Sequence, residues 1–204
     1  ALLVAERKEQ TVPFIMSLPV TPLDFYWGKL LGNLAVYGVP FLLVAGGSNL
    51  VVADAGFAGR VVLIRARGIE VEQDACSGAT VTVAAGEIFD DLVQRAIASE
   101  WIGLEALSGI PGSVGATPIQ NVGAYGQEVA DTIIRVRTWD RLNREVRTVM
   151  HSDCEFEYRM SRFKSEPDRF VVLSVTFQFE LGSMSAPIRY QELANRLKVS
   201  LGDR

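Results

Sequence analysis

From Ser108 to Gly126 the chain carries five glycines and two prolines in nineteen residues. That density of breakers suits neither a helix nor a strand, so this stretch reads as one long loop. Glycines recur every third residue at Gly109, Gly112 and Gly115, and Gln120-Asn121-Val122-Gly123-Ala124-Tyr125-Gly126 follows. Ile110, Val114, Ile119 and Val122 supply apolar anchors, which argues for order rather than disorder. Two readings stay open. The loop is either purely structural, or it wraps a large planar or phosphorylated ligand.

A second glycine turn, Gly46-Gly47-Ser48-Asn49, directly follows the apolar run Phe41–Val44. Paired glycines allow positive φ and close approach of a ligand to the main chain. Successive N–H groups in such a turn form a concavity that holds anions. The Ser48 hydroxyl and Asn49 amide add donors, as a pyrophosphate needs; a tight turn with no ligand is the other reading. No G-x-G-x-x-G opens a helix and no G-x-x-x-x-G-K-[ST] occurs, so the Rossmann and P-loop fingerprints are missing. Two separate glycine loops therefore point to a different nucleotide or flavin cradle.

The scaffold around these loops is ordinary globular material. The chain has 204 residues, 49% hydrophobic and 22% charged, enough for one large or two small domains. A net charge of −4 excludes a simple basic nucleic-acid binder. Two cysteines and one histidine build no disulfide framework, CxxC pair or zinc site, and fit a reducing, cytoplasmic setting. The first residues lack the order of a signal peptide. Leu30–Ala53 is free of charge, but Gly32, Asn33, Gly38, Pro40 and Gly46 interrupt it, so a buried strand between turns is expected rather than a membrane span.

Periodicity predicts the elements. Strands are expected at Ala1–Ala5, Phe41–Val44, Val61–Ile64, Thr80–Ala84, Ile133–Asp140 and Glu145–Val149, the last two around an Asp140–Asn143 turn. Glu6–Leu18 has mixed helical character interrupted by Pro13. Leu23, Trp27, Leu30, Leu31 and Leu34 follow helical spacing, as do Phe89, Leu92, Val93, Ala96 and Ile97. Leu173, Val175, Phe177 and Phe179 alternate with polar residues, as in a strand buried on one face. Ser152–Glu155 has the form of a capping box opening a short helix, and Tyr190–Lys198 reads as helical. Alternating strands and helices place the chain in the α/β or α+β classes.

Four stretches carry a resemblance: AGGSNLVV from Ala45, GLEALSGIPGSVGATPIQNVGAYGQEVAD from Gly103, CEFEYRMSRFK from Cys154 and FVVLSVTF from Phe170. In order and spacing they are similar to the UDP-N-acetylenolpyruvoylglucosamine reductase family. The resemblance implies an α+β, vanillyl-alcohol-oxidase/PCMH-type fold that places FAD between two subdomains. These would cover residues 1–65 and 66–181, with residues 182–204 starting a substrate-binding domain. It assigns FAD to Gly46, Gly47, Ser48, Asn49 and to Ser108, Gly109, Ile110, Pro111, Gly112, Ser113, Gly115 and Ala116. Asn121, Gly123 and Tyr125 would lie along the flavin. It further implies a strand before Ala1 and a third domain after the Tyr190 region, carrying a proton-donating serine, so the chain is expected to be truncated at both ends. Residues 14–37 match the family poorly.

Tyr158-Arg159-x-Ser161-x-Phe163-Lys164 carries the chemistry. An arginine fork binds a carboxylate through two parallel charge-assisted hydrogen bonds. The family substrate, UDP-N-acetylglucosamine enolpyruvate, has a carboxylate beside its alkene. Hydride from reduced flavin reaches the terminal carbon, and charge then spreads into that carboxylate. The resemblance gives Arg159 the task of stabilising it, with Tyr158 beside it, and places Tyr190 near the uridine diphosphate; a capping or packing role for Tyr190 is equally open. Ser161 and Lys164 rank below Arg159, as structural residues. NADPH is the implied hydride donor, and a cytoplasmic monomer working in peptidoglycan precursor synthesis is the implied setting. The competing readings are a flavin oxidoreductase of the same fold with another substrate, and a non-catalytic nucleotide-binding module. His151 reads as a solvated loop residue, Cys76 as a turn residue and Cys154 as a buried small apolar one.

Overall fold

The computed structural model describes residues 4–8, 10–14, 41–47, 50, 52–74 and 76–204. The chain divides into two compact units, Ala1–Ala66 and Arg67–Arg204.

The first unit is built on a four-stranded sheet of order β2-β1-β4-β3, with β1 Val4–Lys8, β2 Gln10–Phe14, β3 Phe41–Val44 and β4 Arg60–Ile64. β3 runs parallel to β4, and the other pairings are antiparallel. The helical reading of Glu6–Leu18 is corrected here, because β1 and β2 pair in register from Val4↔Phe14 to Lys8↔Gln10. Pro13 cannot continue a helix, and on the edge strand β2 its missing N–H is tolerated. Thr11 and Val12 favour the strand further. The helix expected from Leu23 lies outside the described residues. Gly46 and Gly47 follow β3 in an exposed bend, with Gly47 at φ +76°; Ser48 and Asn49 lie outside the described residues.

The second unit carries an antiparallel sheet of order β11-β10-β12-β6-β5. Its strands are β5 Ile69–Asp74, β6 Gly78–Ala84, β10 Ile133–Asp140, β11 Glu145–Met150 and β12 Phe170–Leu181. β7 (Trp101–Ile102) pairs with the far end of β12, and β8 (Gly123–Ala124) with β9 (Gln127–Glu128) forms a small hairpin. Helix α1 (Phe89–Ala98) packs against β7 and the 3-10 turn Glu105–Leu107. Its Phe89, Leu92, Val93 and Ala96 are buried, as their spacing predicts, whereas Ile97 is 49% exposed. Val81, Val83, Val136, Val175, Phe177 and Phe179 form the sheet's share of the core, and Trp101 stacks on Phe179 at 5.6 Å.

β12 departs from strict alternation. Ser174 pairs with Arg137 but Val172 pairs with Thr138, so Leu173 is the extra residue of a β-bulge. The bulge turns Val172 inward and leaves Leu173 half-buried. The expected helix after Ser152 is a 3-10 turn, His151–Asp153, with no side-chain cap. A capping box stands elsewhere, joining Glu128 and Asp131 around the turn Val129–Asp131. Helices α2 (Arg162–Ser165) and α3 (Gln191–Leu197) complete the unit. Among the described residues no helix is long and apolar enough to cross a membrane.

Candidate functional site

The Tyr158-Arg159 pair sits at the tip of a two-residue turn. Glu157 and Met160 exchange both backbone hydrogen bonds at 3.1 Å, which leaves the pair projecting between them. Arg159 adopts φ +55°, a left-handed conformation rare for a long side chain. Tyr158 is 82% exposed, and the Arg159 guanidinium lies 5.7 Å from its ring centre. The guanidinium donates through Nη2 to the Gly123 carbonyl. An arginine has five N–H donors, so its fork retains capacity for a bidentate anion.

Three further ties hold this turn. Asn121 Nδ2 donates to the Glu157 carbonyl at 3.1 Å, Ser161 Oγ to the Ile119 carbonyl at 2.6 Å, and Lys164 Nζ to the Arg159 carbonyl at 2.9 Å. The Asn121 side chain is buried and also engages Glu128 Oε2 at 2.7 Å and the Ala130 N–H at 3.2 Å. All three of these hydrogen bonds are made within the protein. Ser161, which precedes α2, uses its hydroxyl on Ile119 rather than to cap that helix.

A groove of about 660 Å³ opens in front of the turn, and Gly123, Tyr125, Tyr158, Arg159 and Tyr190 all line it. Tyr125 and Tyr190 meet edge to face at 5.8 Å. Arg189 joins them in the wall and lies 4.0 Å from Asp131. Arg189 was not singled out in the sequence; its place next to Tyr190, an echo of Tyr158-Arg159, was the available signal. None of Ser108–Ala116 lines this groove.

The Ser108–Ala116 loop is shaped by its contact with the turn that leads into α1. Phe89 donates to the Gly112 carbonyl at 3.0 Å, and Val114 donates to that of Glu87 at 2.8 Å. The Gly109 N–H is held by Asp90 Oδ1 at 2.6 Å, and that bond holds the Asp90 carboxyl below its ordinary value. Gly115 is a close-approach glycine: a Cβ there would stand 2.5 Å from the Ala85 Cβ and 2.9 Å from its carbonyl oxygen. Ser108, Gly109 and Pro111 are exposed, and Ile110, Gly112 and Ala116 are half-buried. The backbone N–H groups of Gly112 and Ser113 donate to no described residue. Ser113 Oγ is buried and is the one buried side-chain oxygen or nitrogen without a hydrogen-bond partner among the described residues. Buried polar groups are nearly always paired, so this hydroxyl and the two N–H groups fit an anion such as a pyrophosphate.

Other candidates find structural places. His151 is exposed, and its Nδ1 lies 2.9 Å from the Ile133 carbonyl. Cys154 is buried, and burial pushes its thiol up to about 12, so it is inert; Cys76 is exposed. Asp140, buried at the end of β10, takes two hydrogen bonds from Arg169 and accepts the Leu142 and Asn143 N–H groups. The arginine, first among these, lowers its carboxyl to about 2.

The fold and the anion-ready loop define a class, and comparison with known proteins agrees. The profile of the FAD binding domain family matches residues 28–148, more than half of the chain, and the chain belongs to that family. FAD is its cofactor, and the architecture is the PCMH-type FAD-binding fold. The curated relatives narrow this further. Proteins named UDP-N-acetylenolpyruvoylglucosamine reductase are 59% identical over 167 residues in Cutibacterium acnes and 51% over 168 in Streptomyces coelicolor. Each alignment takes in 82% of this chain but 44% and 43% of those proteins, so the chain spans less than half the length of the curated relatives it matches. The crystal structure of UDP-N-acetylenolpyruvylglucosamine reductase from Thermus caldophilus is similar at a TM-score of 0.56 and 27% identity, over 79% of this chain and 53% of that one.

Proposed function

We propose that this chain is the FAD-binding portion of an oxidoreductase that reduces UDP-N-acetylglucosamine enolpyruvate to UDP-N-acetylmuramate, with NADPH as hydride donor. The observation that carries the reading is the convergence of Tyr125, Tyr158, Arg159 and Tyr190 on one groove. The relatives' shared name supplies the substrate. Peptidoglycan precursor synthesis, in the cytoplasm and by a monomer, is the setting that goes with it.

When bound, FAD supplies the hydride that the alkene accepts. This chain's residues would bind and orient the reactants, and the resemblance assigns the proton that neutralises the resulting carbanion to a serine of a further domain. Ser113 Oγ and the Gly112 and Ser113 N–H groups would hold the pyrophosphate, and the resemblance assigns Gly46, Gly47, Ser48 and Asn49 to the cofactor as well. The resemblance assigns Gly123 and Tyr125 to its ring system. The Arg159 fork takes the substrate carboxylate. As the terminal carbon gains hydride, negative charge develops on its neighbour and spreads into that carboxylate. A cation fixed there binds the transition state better than the ground state. Tyr158 stands beside the fork, its ring centre 5.7 Å from the guanidinium, and Tyr190 would face the uridine diphosphate.

The test is a flavin experiment in two stages. Titration with FAD should perturb the visible flavin band and saturate near one equivalent. In the full-length protein NADPH should then bleach that band without oxygen, and the enolpyruvyl substrate should restore it. A bleached flavin that this substrate leaves reduced refutes the reading.

A further inference from the structure

We infer that Lys164 and Asn121 are positioning residues that aim the Arg159 guanidinium, an inference that rests on Arg159 being the carboxylate-binding group proposed above. The starting point is strain. A left-handed arginine persists only where its surroundings over-determine it. Here the turn is gripped from two directions. Asn121 reaches in from the long loop and holds the Glu157 carbonyl, and Lys164 reaches back from α2 and holds that of Arg159. Asn121 is itself fixed, because it is 1% exposed and three of its amide hydrogen bonds are made within the protein. The same loop presents the Gly123 carbonyl to the guanidinium. The base of the turn and the Arg159 guanidinium are thus indexed to one segment, residues 119–130, and the Arg159 carbonyl to Lys164 of α2.

Lys164 is not needed to hold α2 in place. That helix is secured by the Arg162 N–H on the Cys154 carbonyl at 2.8 Å and by the ion pairs Arg162–Glu166 and Arg169–Glu166 at 2.9 and 2.6 Å. Lys164 is exposed and does not line the groove. Its ammonium nevertheless sits on one carbonyl, that of the strained arginine. An exposed lysine held in this way orients the turn rather than stabilising the fold.

The experiment has two readouts. Amide hydrogen exchange on the full chain compares wild type with Lys164→Met, Lys164→Arg and Asn121→Gly, the glycine keeping the positive φ of position 121. Lys164→Met should speed exchange at the Glu157 and Met160 amides about tenfold and leave β10 and β12 unchanged; Lys164→Arg should restore protection, and Asn121→Gly should open the same two amides. In the full-length FAD-loaded protein, Lys164→Met should slow flavin reoxidation by the enolpyruvyl substrate about tenfold, short of the 100-fold of a group misplaced by a full ångström. Reduction by NADPH should keep its rate. Unchanged exchange at Glu157 and Met160, or equal loosening of the sheet, overturns the inference. If wild type itself is not reoxidised by this substrate, the proposed function fails, and the exchange data still decide whether the two side chains hold the turn.

Discussion

Ser113→Ala separates what an unpaired buried hydroxyl costs the fold from what the same hydroxyl would contribute to FAD binding. Ser113 is 6% exposed and its Oγ lacks a partner among the described residues. An unpaired buried hydroxyl costs about 1–3 kcal/mol in mutational data. Its removal leaves a space of one oxygen atom, a lesser penalty than deleting a methylene. The expected balance is a gain of about 1 kcal/mol, or a rise of about 2–4 °C in Tm for a chain of this size. With FAD the sign reverses. A hydroxyl bonded to a phosphate oxygen contributes about 1.5–3 kcal/mol, so its loss should weaken FAD binding by about 10- to 100-fold. Thermal melts across a range of FAD concentrations read both effects, because the ligand stabilises by mass action. The variant should melt above wild type without FAD, and the two curves should cross as FAD is added. A variant that melts lower without FAD, or binds FAD as tightly as wild type, refutes the reasoning.

Three other expectations follow from the same geometry. Arg159→Ala should leave the FAD titration intact and slow flavin reoxidation by the enolpyruvyl substrate by about 100- to 1000-fold, the usual cost of removing a transition-state donor; equal rates in stopped flow would remove Arg159 from its role. Gly115→Ala should destabilise the chain by about 1–3 kcal/mol, because its Cβ meets Ala85 at 2.5 Å in a packed turn; a denaturant midpoint like that of wild type would show that the turn can yield. Asp140 titrates lower when folded than unfolded, at about 2 against an ordinary 3.8, so its contribution is complete above the ordinary value and disappears as pH falls toward 2. Acid unfolding of Asp140→Asn should lack that component, and a profile parallel to wild type between pH 4 and 2 would contradict the assignment.

The parts of this protein that were legible in the sequence are those governed by local spacing. The buried face of α1 follows from Phe89, Leu92, Val93 and Ala96 because a helix fixes its own periodicity. β10 was readable end to end for the same reason. The bulge at Leu173 was not, because it is a property of register against β10, which no residue of β12 encodes alone. The strand expected at Ala1–Ala5 overlaps only the start of β1, and the rest of β1 and all of β2 were hidden because a five-residue strand gives too short a window to outvote a helical pattern. At the site, motif composition located Tyr158 and Arg159 but left the tasks of Ser161 and Lys164 open. Ser161 finds its partner 42 positions away at Ile119, and Lys164 bonds a main-chain carbonyl, which every residue type offers alike. Gly115 shows the same limit. The family resemblance placed it with Gly109 and Gly112 in the loop assigned to the pyrophosphate, and no local pattern announced that the fold also brings it against Ala85.

Backbone strain ties these observations together. Among the described residues seven non-glycine positions have positive φ, and Asn121, Tyr125, Glu155 and Arg159 fall within the long loop and the segment carrying the Tyr158-Arg159 turn. Each such residue costs of order 1 kcal/mol or more. Their concentration in two segments that bond to each other is not a by-product of sheet building, since β6, β10 and β12 contain none. The cost is sustained because Asn121 and Ser161 cross-link the segments and Lys164 braces the turn from within its own, while Asp140 and Arg169 anchor the chain beyond α2 independently. A site assembled this way gains a fixed guanidinium at the expense of local stability. Relaxing the clamp should therefore cost alignment of Arg159 long before it costs the fold.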